Sequence, residues 1–153
     1  MFSLIKEDEN RLVVNLISKK VVYKSIELDL MPARMALYAF FALQKKNCTK
    51  EVESYSSCTD CFLDIQSIYE KQVQITDLYK RISGTRPIDE MSDTGIINLN
   101  SDNFIMYKGK IRQDLLRRFG PYALKELEVA SVGTRPNTTY GIMMDRSKIE
   151  IVY

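Results

Sequence analysis

Three cysteines are the residues most able to do chemistry in this chain: Cys48, and Cys58 and Cys61 in a Cys-Thr-Asp-Cys tetrapeptide. Two thiolates two residues apart are half of a zinc site, with sulfur about 2.3 Å from the metal, and Cys48 is a candidate third ligand. A fourth would have to be Asp60, Asp64, water or a group from a partner, because the 153 residues contain no histidine. A Cys-x-x-Cys pair is also a redox motif, but the βαβ surroundings of that chemistry are missing. Three ordinary thiols in a reducing compartment is the third reading, and composition leaves all three open. The absence of histidine removes the commonest general base and excludes Ser-His-Asp and Cys-His catalysis within the chain. Acids at Glu7–Glu9 and Asp89–Asp93 read as solvated surface. None of the six glycines lies in a G-x-G-x-x-G or P-loop setting.

The other chemistry-bearing group is cationic. Residues 1–100 hold 13 basic and 14 acidic side chains, and residues 101–153 hold 9 and 6. The excess gathers on residues 101–120, with five basic and two acidic groups. Phe104, Ile111, Leu115 and Phe119 recur at helical spacing and predict a buried stripe. Asn103, Met106, Lys110, Gln113 and Arg117 then fall on the opposite side, with Lys108, Arg112 and Arg118 beside it. Ser101 is the expected cap and Asp102 suits the positive first turn. Gly109 weakens the helix by roughly 1 kcal/mol relative to alanine. Gly120 and Pro121 stop it. Strand-like runs at 127–132 and 139–144 flank the turn Gly133-Thr-Arg-Pro-Asn-Thr138, which places Arg135 and Asn137 at its tip. A helix fits the DNA major groove, and Asn, Gln, Arg and Lys are the side chains suited to base edges and phosphates. Lys110, Gln113 and Arg117 are expected to face the groove; Lys108, Arg112, Arg118 and Arg135 to meet phosphates.

The remaining elements must position that helix and ribbon. Residues 12–16, 21–23 and 26–30 read as a small antiparallel sheet, preceded by a short strand at 2–5. Ile26, Leu28 and Leu30 are expected inside, Glu27 and Asp29 outside. Pro32 suits the first turn of a helix running to about Lys46, apolar on every side over 35–43. Such a helix is either a central core element or a dimer interface. Residues 47–61 form a polar, cysteine-containing insertion. Residues 62–82 read as helix in two pieces, 88–100 as a loop plus a short helix, 122–127 as one helical turn and 148–152 as a closing strand. The fold class is α+β: one domain over 1–153, a winged helix-turn-helix with an N-terminal antiparallel sheet (1–30) and a C-terminal wing hairpin, the recognition helix and wing spanning 101–144. The longest apolar run is far short of the roughly 18 residues a membrane span needs. No signal peptide is read at the N-terminus, so a cytoplasmic location is expected.

The order of these parts resembles known proteins. Ile26-Glu-Leu-Asp-Leu followed by Met-Pro-Ala-Arg-Met-Ala-Leu-Tyr38 resembles the opening of winged-helix domains of the OmpR type. Cys58–Leu63, the helix ending Leu-Leu-Arg-Arg-Phe-Gly120 and Val132-Gly-Thr-Arg-Pro-Asn-Thr-Thr-Tyr-Gly141 together resemble the C-terminal region of CRISPR-associated ring nucleases. Those proteins join a CARF sensor domain to a C-terminal winged helix. The resemblance implies a setting in type III CRISPR antiviral defence, where the CARF domain binds and cleaves cyclic oligoadenylate. No CARF domain is read in these residues, so no catalytic residue carries over. The chain is expected to be a detached C-terminal domain or a stand-alone relative, non-enzymatic, binding nucleic acid. The alternative is a dimerisation or regulatory module partnering a CARF-domain protein.

Overall fold

A computed structural model describes residues 11–48, 62–82, 95–134 and 137–152. Among these residues the architecture is α+β, with a four-stranded sheet, a two-stranded sheet and five α-helices. Strands β1 (Leu12–Asn15), β2 (Lys20–Tyr23) and β3 (Ile26–Asp29) form an antiparallel meander. In β1, Leu12 and Val14 alternate inward with Val13 and Asn15 half-buried, the period-two pattern of a strand with one covered face. Lys24 and Ser25, at φ 50° and 65°, make a two-residue turn with positive φ at both positions, the geometry that matches strand twist.

Two expectations for this sheet are corrected. It is mixed rather than antiparallel, because the closing strand β6 (Ile149–Val152) pairs parallel to β1, giving the order β3-β2-β1-β6. Ile26 is exposed rather than buried: it opens β3, an edge strand of the sheet, directly after the Lys24–Ser25 turn.

Helix α1 (Pro32–Lys46) begins at Pro32, whose missing N–H is one the first turn leaves unused. Every residue from 35 to 42 is buried. The chain itself supplies the cover: helix α3 (Gln72–Arg81), the long helix α4 (Ser101–Phe119), the hairpin strand β5 (Thr139–Ile142) and β6 all pack against α1. Helix α2 (Ile65–Glu70) is capped by the Asp64 carboxylate, which accepts from the Ser67 N–H at 2.8 Å. It breaks at Lys71, at φ −100° and ψ 17°, and α3 (Gln72–Arg81) follows, as the two-piece reading expects.

Helix α4 (Ser101–Phe119) is followed directly by α5 (Pro121–Leu127), with Gly120 between them at φ 88°, a backbone that favours glycine. The expected single turn at 122–127 is thus a full short helix. The cap of α4 is Asn100, one residue earlier than expected. Residues 95–98 form a tight turn, and 95–100 contain no helix. The hairpin pairs β4 (Val129–Val132) with β5 (Thr139–Ile142), Val132 opposite Thr139. Leu63 adds a one-residue rung, exchanging hydrogen bonds of 2.9 and 2.8 Å with Tyr140. The reading at 2–5, most of the insertion at 47–61 and residues 83–94 lie outside the described residues.

Candidate nucleic-acid interface

Helix α4 presents two chemically different sides. Its inner side is fixed by Phe104, Ile111 and Leu115, all fully buried. Phe104 packs against Phe41 of α1 and edge-on against Tyr140 of β5, with ring centroids 6.2 and 4.9 Å apart. Phe119, expected in the same stripe, is only partly buried and meets Tyr23 edge-on at 6.1 Å. Polar ties add direction. Arg34 of α1 donates to Asp114 at 2.8 Å, with the two side chains only 20% and 15% exposed. Such a pair, largely screened from water, orients one helix on the other more firmly than a surface pair would. Tyr38 donates its buried hydroxyl to the Leu127 carbonyl at 2.7 Å, and burial pushes its phenol well above the usual range.

The N-terminus of α4 is closed by a capping box. The Asn100 side chain accepts from the Asn103 N–H at 2.9 Å, and Asn103 returns the bond to the Asn100 N–H at 2.8 Å. The Asn103 amide nitrogen also donates to the Gly95 and Asn98 carbonyls. Asn103 is therefore committed to holding the helix and is not an outward contact.

The sequence-predicted cations separate into two groups. Arg118 is exposed but donates to the Glu27 carbonyl of β3 at 2.7 Å, and Arg112 lies 3.7 Å from Glu128. Lys108 is half-buried with its ammonium 6.0 Å from the Tyr140 ring centroid, on the hairpin side. These three sit along the margins of the helix, tied to neighbouring elements. Lys110, Gln113 and Arg117 form the second group, exposed on the side opposite Phe104 and Ile111, with no hydrogen bond or ion pair among the described residues. Asp102, Met106 and Gly109 complete that side toward the N-terminus, so positive charge is weighted to the C-terminal half.

At the hairpin turn, Gly133 has φ 87°, and a Cβ there would lie 3.1 Å from the Asn137 carbonyl oxygen. The positive φ favours glycine, and a Cβ there would crowd the turn. Asn137 is exposed beside it, its N–H donating to the Thr134 carbonyl at 2.7 Å. Arg135 lies outside the described residues.

Of the three cysteines, Cys48 lies among the described residues. Cys48 is buried against Phe62, with Val132 beside them, and its carbonyl accepts from Arg146 at 2.7 Å. Cys58 and Cys61 lie outside the described residues. Among those described, no three His, Cys, Asp or Glu side chains are placed to hold a metal. Sequence reasoning missed the ties of Arg34, Asn103 and Arg118. Each joins residues distant in sequence or depends on an unpredicted cap. Among the described residues no helix is long and apolar enough to cross a membrane. No family model matches the chain, and neither a curated protein nor a solved structure matches it.

Proposed function

We propose that the chain is a winged-helix module that binds nucleic acid through the outward side of α4, with the β4–β5 hairpin as its wing. The observation that carries the reading is the exposed trio Lys110, Gln113 and Arg117, without a partner among the described residues while the opposite side of the same helix is buried. The order of parts supports it: α1 packed on α3 and α4, then a hairpin braced by Leu63. With cations in the C-terminal half of α4 and Asp102 and Met106 in the N-terminal half, phosphate contacts supply most of the affinity. On the resemblance of residues 132–141, the module serves as a non-enzymatic accessory in type III CRISPR defence.

The test is fluorescence anisotropy with a labelled duplex of roughly 20 base pairs across a salt titration. Binding is expected to weaken steeply with salt. Lys110→Glu with Arg117→Glu is expected to cost about tenfold or more and to flatten the salt slope by about 2. Unchanged binding by that variant at every salt concentration sinks the proposal.

A further inference from the structure

Gly109 lies near the middle of α4, on its exposed side, and nothing among the described residues requires it to be glycine. Its φ lies outside the positive range that favours glycine, and a Cβ built there meets no atom within 4 Å. Yet glycine in a helix interior is among the least favourable choices. The residues one turn before it are also unusual for a solvated helix face. Ile105 and Met106 are 51% and 43% exposed, and Gly109 follows them at i+4 and i+3. Gln113 and Arg117 then continue the Gly109 row at i+4 steps, with Lys110 beside it. The face thus combines a bare stretch of helix backbone, two apolar side chains beside it, and two cations against the one acid Asp102.

We propose that Ile105, Met106 and Gly109 are the part of this face that meets the base edges of duplex DNA, Gly109 letting the helix backbone approach closely enough for the two apolar side chains to touch thymine methyl groups. This rests on the nucleic-acid reading of α4. The major groove of B-DNA admits a helix, and the thymine methyl is its one apolar landmark. The deep, narrow major groove of duplex RNA admits neither. Lys110 and Arg117 favour a polyanion as the occupant.

The probes are a labelled alternating adenine–thymine duplex of roughly 20 base pairs and the same duplex with uracil for thymine. The intact chain is expected to bind the thymine duplex about threefold to fivefold more tightly, and Ile105→Ser with Met106→Ser to erase that preference while keeping the salt slope. Gly109→Ala is expected to raise the melting temperature by about 2–4 °C and yet to weaken binding about fivefold, with Gly109→Leu weaker still. A better-folded protein that binds less well is what a glycine kept only by chance would not give. If Gly109→Ala melts higher and binds both duplexes as the parent does, while Lys110→Glu with Arg117→Glu abolishes binding, this inference falls and the proposed function stands. If the charge reversals change nothing, both fall. If sedimentation finds a dimer that Gly109→Leu dissociates, the face meets a second copy of the chain, and the inference is overturned.

Discussion

Helices α1 and α4 are the two longest among the described residues, and they spend their surfaces in opposite ways. Helix α1 is buried from residue 35 through 42, with sheet, hairpin and helices around it. Helix α4 is longer yet buries only Phe104, Ile111 and Leu115 completely. Helix α1 is the axle on which the other elements are assembled, and its apolar girdle is accounted for within one chain. That removes the observation which, in the sequence, favoured a dimer interface there. Helix α4 is docked along one side by Phe104, by Arg34–Asp114 and by its capping box, and leaves the other side unspent. A rigid element with a free polar face is what a recognition surface needs, and α1 has no such face to offer.

The comparison breaks most readily at its central contact. Phe41 is fully buried, meets Phe40 edge-on at 5.2 Å and packs against Phe104. Phe41→Ala is expected to cost about 3–5 kcal/mol, read from the urea midpoint, because the surrounding elements cannot collapse into the void. A loss under about 1 kcal/mol would mean that α1 is not the axle. Arg34→Ala comes next. It strands the largely buried Asp114 carboxylate and is expected to cost about 2 kcal/mol. The Arg34→Ala/Asp114→Ala cycle should recover part of that loss, since removing both partners leaves no uncompensated charge.

Much of the fold was legible because local pattern and global role agree. The alternation in β1, Pro32 at the head of α1 and the 104–111–115 stripe all predict their elements, and all form. What escaped is non-local. The parallel pairing of β6 with β1 joins ends of the described chain more than a hundred residues apart, and no local period encodes strand direction. Ile26 alternates correctly and is still exposed, because it opens an edge strand, and edge position is set by how distant strands assemble. The outward trio of the candidate site was readable from helical angle alone. The withdrawal of Asn103, Arg112 and Arg118 was not, since each depends on an acceptor outside the helix.

Asn103 and the trio therefore offer the finest test, because a helical wheel places them all on the outward half. Asn103→Ala removes one side of the capping box and two further hydrogen bonds, and is expected to cost about 1 kcal/mol in the urea midpoint. Gln113→Ala, on the same half of the helix, is expected to cost almost nothing. Smallest of all is the effect on folding of Lys110→Glu with Arg117→Glu, measured without nucleic acid. Neither residue has a partner to lose among the described residues. Arg117 stands in the last turn of α4, where the helix dipole favours a cation, so the reversal costs about 0.5 kcal/mol at low salt and less as salt screens it. A loss well above about 1 kcal/mol, persisting in high salt, would place those side chains in the scaffold and erase the contrast between the two sides of the helix.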